Sequence, residues 1–193
     1  MKTTVCSVLV ALLLAGCQTA TKPRTLSAGE FDSPIRPGET RLSLRNIDRD
    51  KWIGQRADTL SAAKTQFICK PLACPAPSVV VYTRMASPTR KPDPQALLAL
   101  GRSIADKAVS QGVVLRSQPK LGTIKGFPSV SFAADKEVNG KMEYGRWVIV
   151  FAGSLAFNLQ SISQDEAAAG RNLNQFISTI EIVDGGSRQS AAR

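Results

Sequence analysis

From about Arg41 to Val183 the apolar positions switch between a period of two and a period near 3.6, and the switches mark out elements. Phe67 to Cys69 and Ser78 to Met85 read as strands, with a proline-rich turn between them. Asp93-Pro94 offers a helix N-cap followed by proline at the first helical position, where no backbone N–H is needed. Leu97, Leu100, Ile104 and Ala108 recur at helical spacing, and Gly112 is placed to end that helix. Val113 to Arg116 is a short strand candidate. Phe127 to Val138 and Lys141 to Gly153 flank Asn139-Gly140, a two-residue hairpin signal because both positions tolerate positive φ. Trp147, Ile149 and Phe151 alternate with Val148 and Val150, so this strand is apolar on both faces and belongs at the centre of a sheet. Ser154 to Ile162 puts Leu155, Phe157 and Leu159 on one face. Ser163 and Glu166 have capping-box spacing, and the helix they predict carries Ala169, Leu173, Phe176, Ile177 and Ile180 as one apolar stripe that needs a sheet to cover.

The order is thus strands, a helix, an antiparallel meander and a last helix, which predicts an α+β domain: an antiparallel sheet packed with two main helices. With its glycine hairpin, apolar strand and closing helix ending near Ile180-Glu181-Ile182, this order resembles the Mog1/PsbP-like fold over about residues 50–183. Those families share no single activity, so the resemblance implies an arrangement and not a function.

Ahead of the domain the pattern changes. Met1-Lys2 is a short positive start, and Val5 to Leu14 is an apolar run too short to cross a hydrocarbon core, which needs about 20 helical residues. A charged start, a short apolar run and then small residues form the pattern of a secretory signal. Its last four residues, Leu14-Ala15-Gly16-Cys17, resemble the lipobox of bacterial lipoproteins. The resemblance implies a signal peptide over 1–16, removed on export, and a Cys17 that becomes the acylated N-terminus, with diacylglycerol on sulfur and often a further chain such as palmitate on nitrogen. Two or three chains anchor stably where one binds marginally. Gln18, in place of the aspartate that retains diderm lipoproteins in the inner membrane, implies the periplasmic face of the outer membrane.

From Gln18 to about Thr40 the chain is polar, and Pro23, Pro34, Pro37 and Gly38 speak against a regular helix or central strand. We therefore expect a lipidated cysteine and flexible tether over 17–40, a single domain over 41–183, and a disordered, glycine-led tail over 184–193. A flexible tether of that length holds the domain about 25 Å from the membrane.

Composition narrows the chemistry. Of 193 residues none is histidine, which removes the commonest general base and neutral metal ligand. The formal charge is +10, or +9 once Lys2 leaves with the signal. Such a surface attracts polyanions, and export favours anionic lipid or acidic glycan over nucleic acid. The excess is spread mostly as single side chains. One surface stands out as a candidate for anion binding: Arg84, Arg90 and Lys91 before the first helix, with Arg116, Lys120 and Lys125 after it. The alternative is a solvated basic surface without a partner.

Cys6 leaves with the signal and Cys17 is acylated, so Cys69 and Cys74 remain. No further cysteine or histidine is available for zinc, and four intervening residues are too many for a redox motif, so a structural disulfide is expected in an oxidising compartment. Asp135 and Glu137 share a strand face beside the hairpin and are expected to be solvated. Gly122 and Gly126 around Thr123-Ile124-Lys125 match no phosphate loop, and no serine-hydrolase sequence is present. The expectation is a non-catalytic envelope lipoprotein, without cofactor or metal, that binds or supports an envelope protein, glycan or anionic lipid. The alternatives are a carrier of a small apolar or lipid ligand and a carboxylate-based hydrolase.

Overall fold

The computed structural model describes residues 24–31, 40–58, 63–87 and 93–183. The signal, the lipobox with Cys17, Arg90, Lys91 and the tail 184–193 lie outside the described residues. The elements in chain order are β1 (Arg24–Thr25), α1 (Ala28–Phe31), β2 (Arg41–Ser43), β3 (Trp52–Asp58), β4 (Ala63–Cys69), β5 (Ser78–Ala86), α2 (Pro94–Val109), β6 (Val114–Ile124), β7 (Phe127–Val138), β8 (Lys141–Ala152), β9 (Leu155–Ser163), α3 (Glu166–Thr179) and β10 (Glu181–Val183). Eight strands form one antiparallel sheet in the order β1-β3-β4-β5-β9-β8-β7-β6, and β2 pairs with β10 in a separate ribbon. The fold is α+β with two main helices, as the pattern predicts, and the helices lie on opposite faces of the sheet.

Both faces of β8 are buried because both carry apolar side chains. Val148, Val150 and Ala152 pack with Phe67, Val80, Phe157, Leu159 and the α3 stripe of Leu173, Phe176 and Ile180. Trp147, Ile149 and Phe151 point the other way, where Phe132 stacks on Trp147 at 5.1 Å and Leu97 reaches Val130 and Ile149. Full burial of side chains of this size contributes about 1.5–3 kcal/mol each. α2 lies close on β7: a Cβ at Gly101 would collide with Val130 Cγ1. Asp93 caps α2 by accepting the Ala96 N–H at 3.0 Å, as expected from Asp93-Pro94.

Four expectations need correction. The capping box at Ser163 does not form. Ser163 is the last residue of β9, paired with Ser78 and Tyr144, and its hydroxyl meets Ser78 Oγ at 2.9 Å and the Asp165 N–H at 3.2 Å. The strand holds it back, so the helix starts later, with Asp165 Oδ1 accepting the Ala168 N–H at 2.8 Å. β6 runs to Ile124 instead of stopping near Arg116, because a second positive-φ pair, Lys125 (53°) and Gly126 (84°), makes a hairpin like that of Asn139 (52°) and Gly140 (73°).

The third correction concerns the expected tether. Arg24–Thr25 pair with β3 at the sheet edge, the Leu26 N–H donates to Gly54 O at 2.8 Å, and Phe31 is buried with its ring 6.0 Å from Phe67. Pro23 and Pro34 bracket this stretch instead of interrupting it. Glu30 reaches back to the Ser27 N–H at 3.0 Å, the carboxylate half of a capping box. Last, Asp135 is not solvated: it is 3% exposed and ion-paired.

Candidate functional site

The sheet register separates the proposed basic cluster. Arg84 on β5 lies in a row with Phe157, Val150, Ser129 and Gly122, so three strands stand between it and β6. Four interstrand steps span about 19 Å. Lys120 is exposed on β6. Lys125, in the β6–β7 turn, donates to Ser178 O at 3.0 Å. Arg116 donates through Nε to Asp135 Oδ2 at 2.6 Å. The described members of the cluster thus occupy different places, and two of them already have partners.

Arg116 belongs to a charge network at the start of α3. Asp135 from β7 sits between Arg116 and Arg146, the latter from β8 at 3.6 Å, and Arg146 also holds Glu166 in the first turn of α3 at 2.7 Å. Two carboxylates face two guanidinium groups. The network joins β6, β7, β8 and α3, and its charges balance internally, although Asp135 Oδ1 has no hydrogen-bond partner among the described residues.

A different group of side chains is not balanced in this way. The disulfide between Cys69 and Cys74, whose Cα atoms are 6.1 Å apart, closes a loop at the end of β4. That loop and α3 form the walls of a cleft of about 160 Å³, lined by Cys74 and Pro75 on one side and Arg171, Asn172 and Gln175 on the other, with Lys51 at its edge. Lys51 is fixed from the sequence upward. Asp48 Oδ1 accepts the N–H groups of Asp50 at 2.9 Å and Lys51 at 3.1 Å, making a tight turn into β3. The Lys51 ammonium then lies 5.2 Å from the centre of the Trp52 ring and donates to Asn172 Oδ1 at 3.1 Å and Gln175 Oε1 at 2.6 Å.

These bonds orient the Asn172 amide. Its oxygen faces Lys51, so its nitrogen faces away, and Nδ2 is buried without a partner on a residue only 5% exposed. Leaving such a donor unsatisfied costs about 1–3 kcal/mol. Arg171 is exposed and has no side-chain partner among the described residues. Among the described residues no carboxylate lines the cleft. The arrangement presents hydrogen-bond donors and positive charge, with the Ser78 hydroxyl also among the lining groups.

Three titratable groups elsewhere are displaced from their usual range by burial. Tyr82 is pushed up to about 12 and Lys64 down to about 8. The Glu143 carboxyl is raised by burial, with Lys136 opposing the shift. They lie on β5, β4 and β8, and none lines the cleft. Among the described residues there is no group of acidic, cysteine or histidine side chains able to hold a metal.

Sequence reasoning missed the cleft because its parts are remote in the chain: Lys51 and Asn172 are 121 residues apart. One signal was present. Asn172 falls one residue before Leu173, three after Ala169 and four before Phe176, so a polar amide occupies the apolar stripe of α3.

No family model matches this chain, and no curated protein matches it. Among the described residues no helix is long and apolar enough to cross a membrane. Among solved structures the chain is similar to the crystal structure of LpqN, involved in cell envelope biogenesis of Mycobacterium tuberculosis, with a TM-score of 0.52 and 14% identity over 86% of this chain and 92% of that one. At that identity the likeness is one of fold.

Proposed function

We propose that this protein is an envelope lipoprotein, held to the membrane by acyl chains on Cys17 and acting by binding rather than catalysis. The observation that carries the binding half is the cleft between the disulfide loop and α3, which is lined by Lys51, Arg171 and the partly unsatisfied Asn172 amide. Leu14-Ala15-Gly16-Cys17 supports the anchor, and Gln18 favours the periplasmic face of the outer membrane. The likeness to LpqN supports a role in the cell envelope, and the element order supports a Mog1/PsbP-like arrangement. A carrier of apolar ligands finds less support, because polar side chains dominate the cleft. A carboxylate hydrolase finds less again, because the raised Glu143 lies away from it.

The test is photo-crosslinking in the native envelope. A photoreactive residue replacing Ala73, exposed on the cleft wall, should give a discrete adduct, and one replacing Arg102, exposed on α2, should not. Equal adducts at both positions, or none at Ala73, would refute a binding role for the cleft.

A further inference from the structure

Resting on the reading of the cleft as a binding site, its donors specify the chemistry of the ligand. The Lys51 ammonium has three N–H bonds, and Asn172 and Gln175 take two of them. Among the described residues the third has no side-chain acceptor, nor do the Arg171 fork and the buried Asn172 Nδ2. The side-chain acceptors that could compete are occupied: Asn172 Oδ1 and Gln175 Oε1 face Lys51, and the Asp48 carboxylate holds backbone N–H groups. Ser78 donates to Ala76 O or Ser163 Oγ; its oxygen can still accept, but it is uncharged and compensates neither cation. A neutral ligand would leave the two cations uncompensated. A group with several oxygens and negative charge compensates both cations at once, and a tetrahedral oxyanion can meet donors arriving from separate elements, the β3 turn and α3.

The rim adds a second feature. Leu72 is fully exposed at the tip of the disulfide loop, next to Ala73 and Cys74 of the cleft wall. A leucine held out by a short cross-linked loop beside a cationic cleft is matched by a surface with phosphates at one depth and hydrocarbon just below. We propose that the cleft binds a phosphate group through Arg171 and Lys51, beside the Asn172 amide, with Leu72 entering the apolar layer when that phosphate is a lipid headgroup. A free phosphate ester offers the same group without the layer.

The experiment follows the side-chain amide signal of Asn172 by nuclear magnetic resonance, using the full chain in neutral detergent micelles. Inorganic phosphate is titrated in one arm, and phosphatidic acid is mixed into the micelles in the other. A saturable movement of the Asn172 side-chain signal is expected in at least one arm, and Arg171→Gln should weaken it about tenfold or more by removing a charged donor. Leu72→Ser separates the sources: it should weaken the response to phosphatidic acid and leave that to inorganic phosphate unchanged. A response to inorganic phosphate alone would assign the site to a soluble phosphate ester. No movement in either arm, or movement indifferent to Arg171→Gln, would overturn the proposal. A crosslink from Ala73 that persisted after that failure would leave the binding site standing with a different ligand.

Discussion

Two groups of charged side chains flank α3, and they differ in what they leave over. At the start of the helix Arg116, Asp135, Arg146 and Glu166 balance one another's charge across three strands. Further along, Lys51, Arg171 and Asn172 converge on the cleft with donors to spare and no carboxylate among the lining residues. Both contain two cations, and Arg116 of the neutralised network is one of the six residues that the charge pattern singled out. The difference teaches that a count of positive side chains says little about binding. Charge left uncompensated at a concave, partly buried place is the more informative quantity.

The comparison is broken most strongly at Asp135. In Asp135→Ala the guanidinium groups of Arg116 and Arg146 lose their shared carboxylate at a site 3% exposed. Because Arg146 keeps Glu166 and Arg116 is 54% exposed, the loss falls below that of a fully buried pair, at about 2–3 kcal/mol. Urea denaturation should show it as a lower midpoint at unchanged slope. Arg171→Gln, by contrast, should change stability by less than about 0.5 kcal/mol in the same measurement, since no described partner is lost.

The disulfide comes next. Replacing Cys69 and Cys74 together by alanine should cost about 2 kcal/mol, given the short loop. It should also abolish the Asn172 response by freeing the Cys74–Pro75 wall of the cleft, while hydrogen exchange around Asp135 stays as it was. Loss of protection at both places would mean that the two regions are not independent.

A third charge cluster supplies the smallest effect. Arg24 holds Glu30 through two bonds of 2.6 and 2.7 Å, and that contact, with the Ser27 N–H, lowers the Glu30 carboxyl from 4.5 to about 2. The folded value is depressed, so the stabilisation is present above the unfolded value and lost as pH falls through the folded one. Between about pH 4.5 and 2 the Arg24–Phe31 segment should loosen from the sheet edge. Protection of the Leu26 amide, which bonds Gly54 O, should fall over that window and fall at neutral pH in Glu30→Gln.

The sequence was most legible where the signal is local. Asn139-Gly140 turns the β7–β8 hairpin, Asp93-Pro94 starts α2, and the spacing of Ala169, Leu173 and Phe176 marks the face of α3 that covers the sheet. Each of these is decided within a few residues. Lys125-Gly126 escaped notice because a lysine at positive φ has no preference that advertises it. The segment from Arg24 to Phe31 was hidden by the prolines on either side of it. The burial of Asp135 depends on the register that sets it opposite Val114 and Tyr144, which no spacing along one strand reveals. The cleft depends on a loop, a turn and a helix meeting in space, and the only local trace of it is one amide on an apolar stripe.

The claim on which the proposed role most depends is the anchor, and the intact mass of the mature protein from its native membrane tests it directly. The expected spectrum is that of a chain beginning at Cys17 with the added mass of a diacylglycerol, with or without one further acyl group, and Cys17→Ala should leave the first 16 residues attached and the chain unmodified. A mature chain that begins at any other residue, or that begins at Cys17 without acyl mass, would contradict a lipid-held envelope protein.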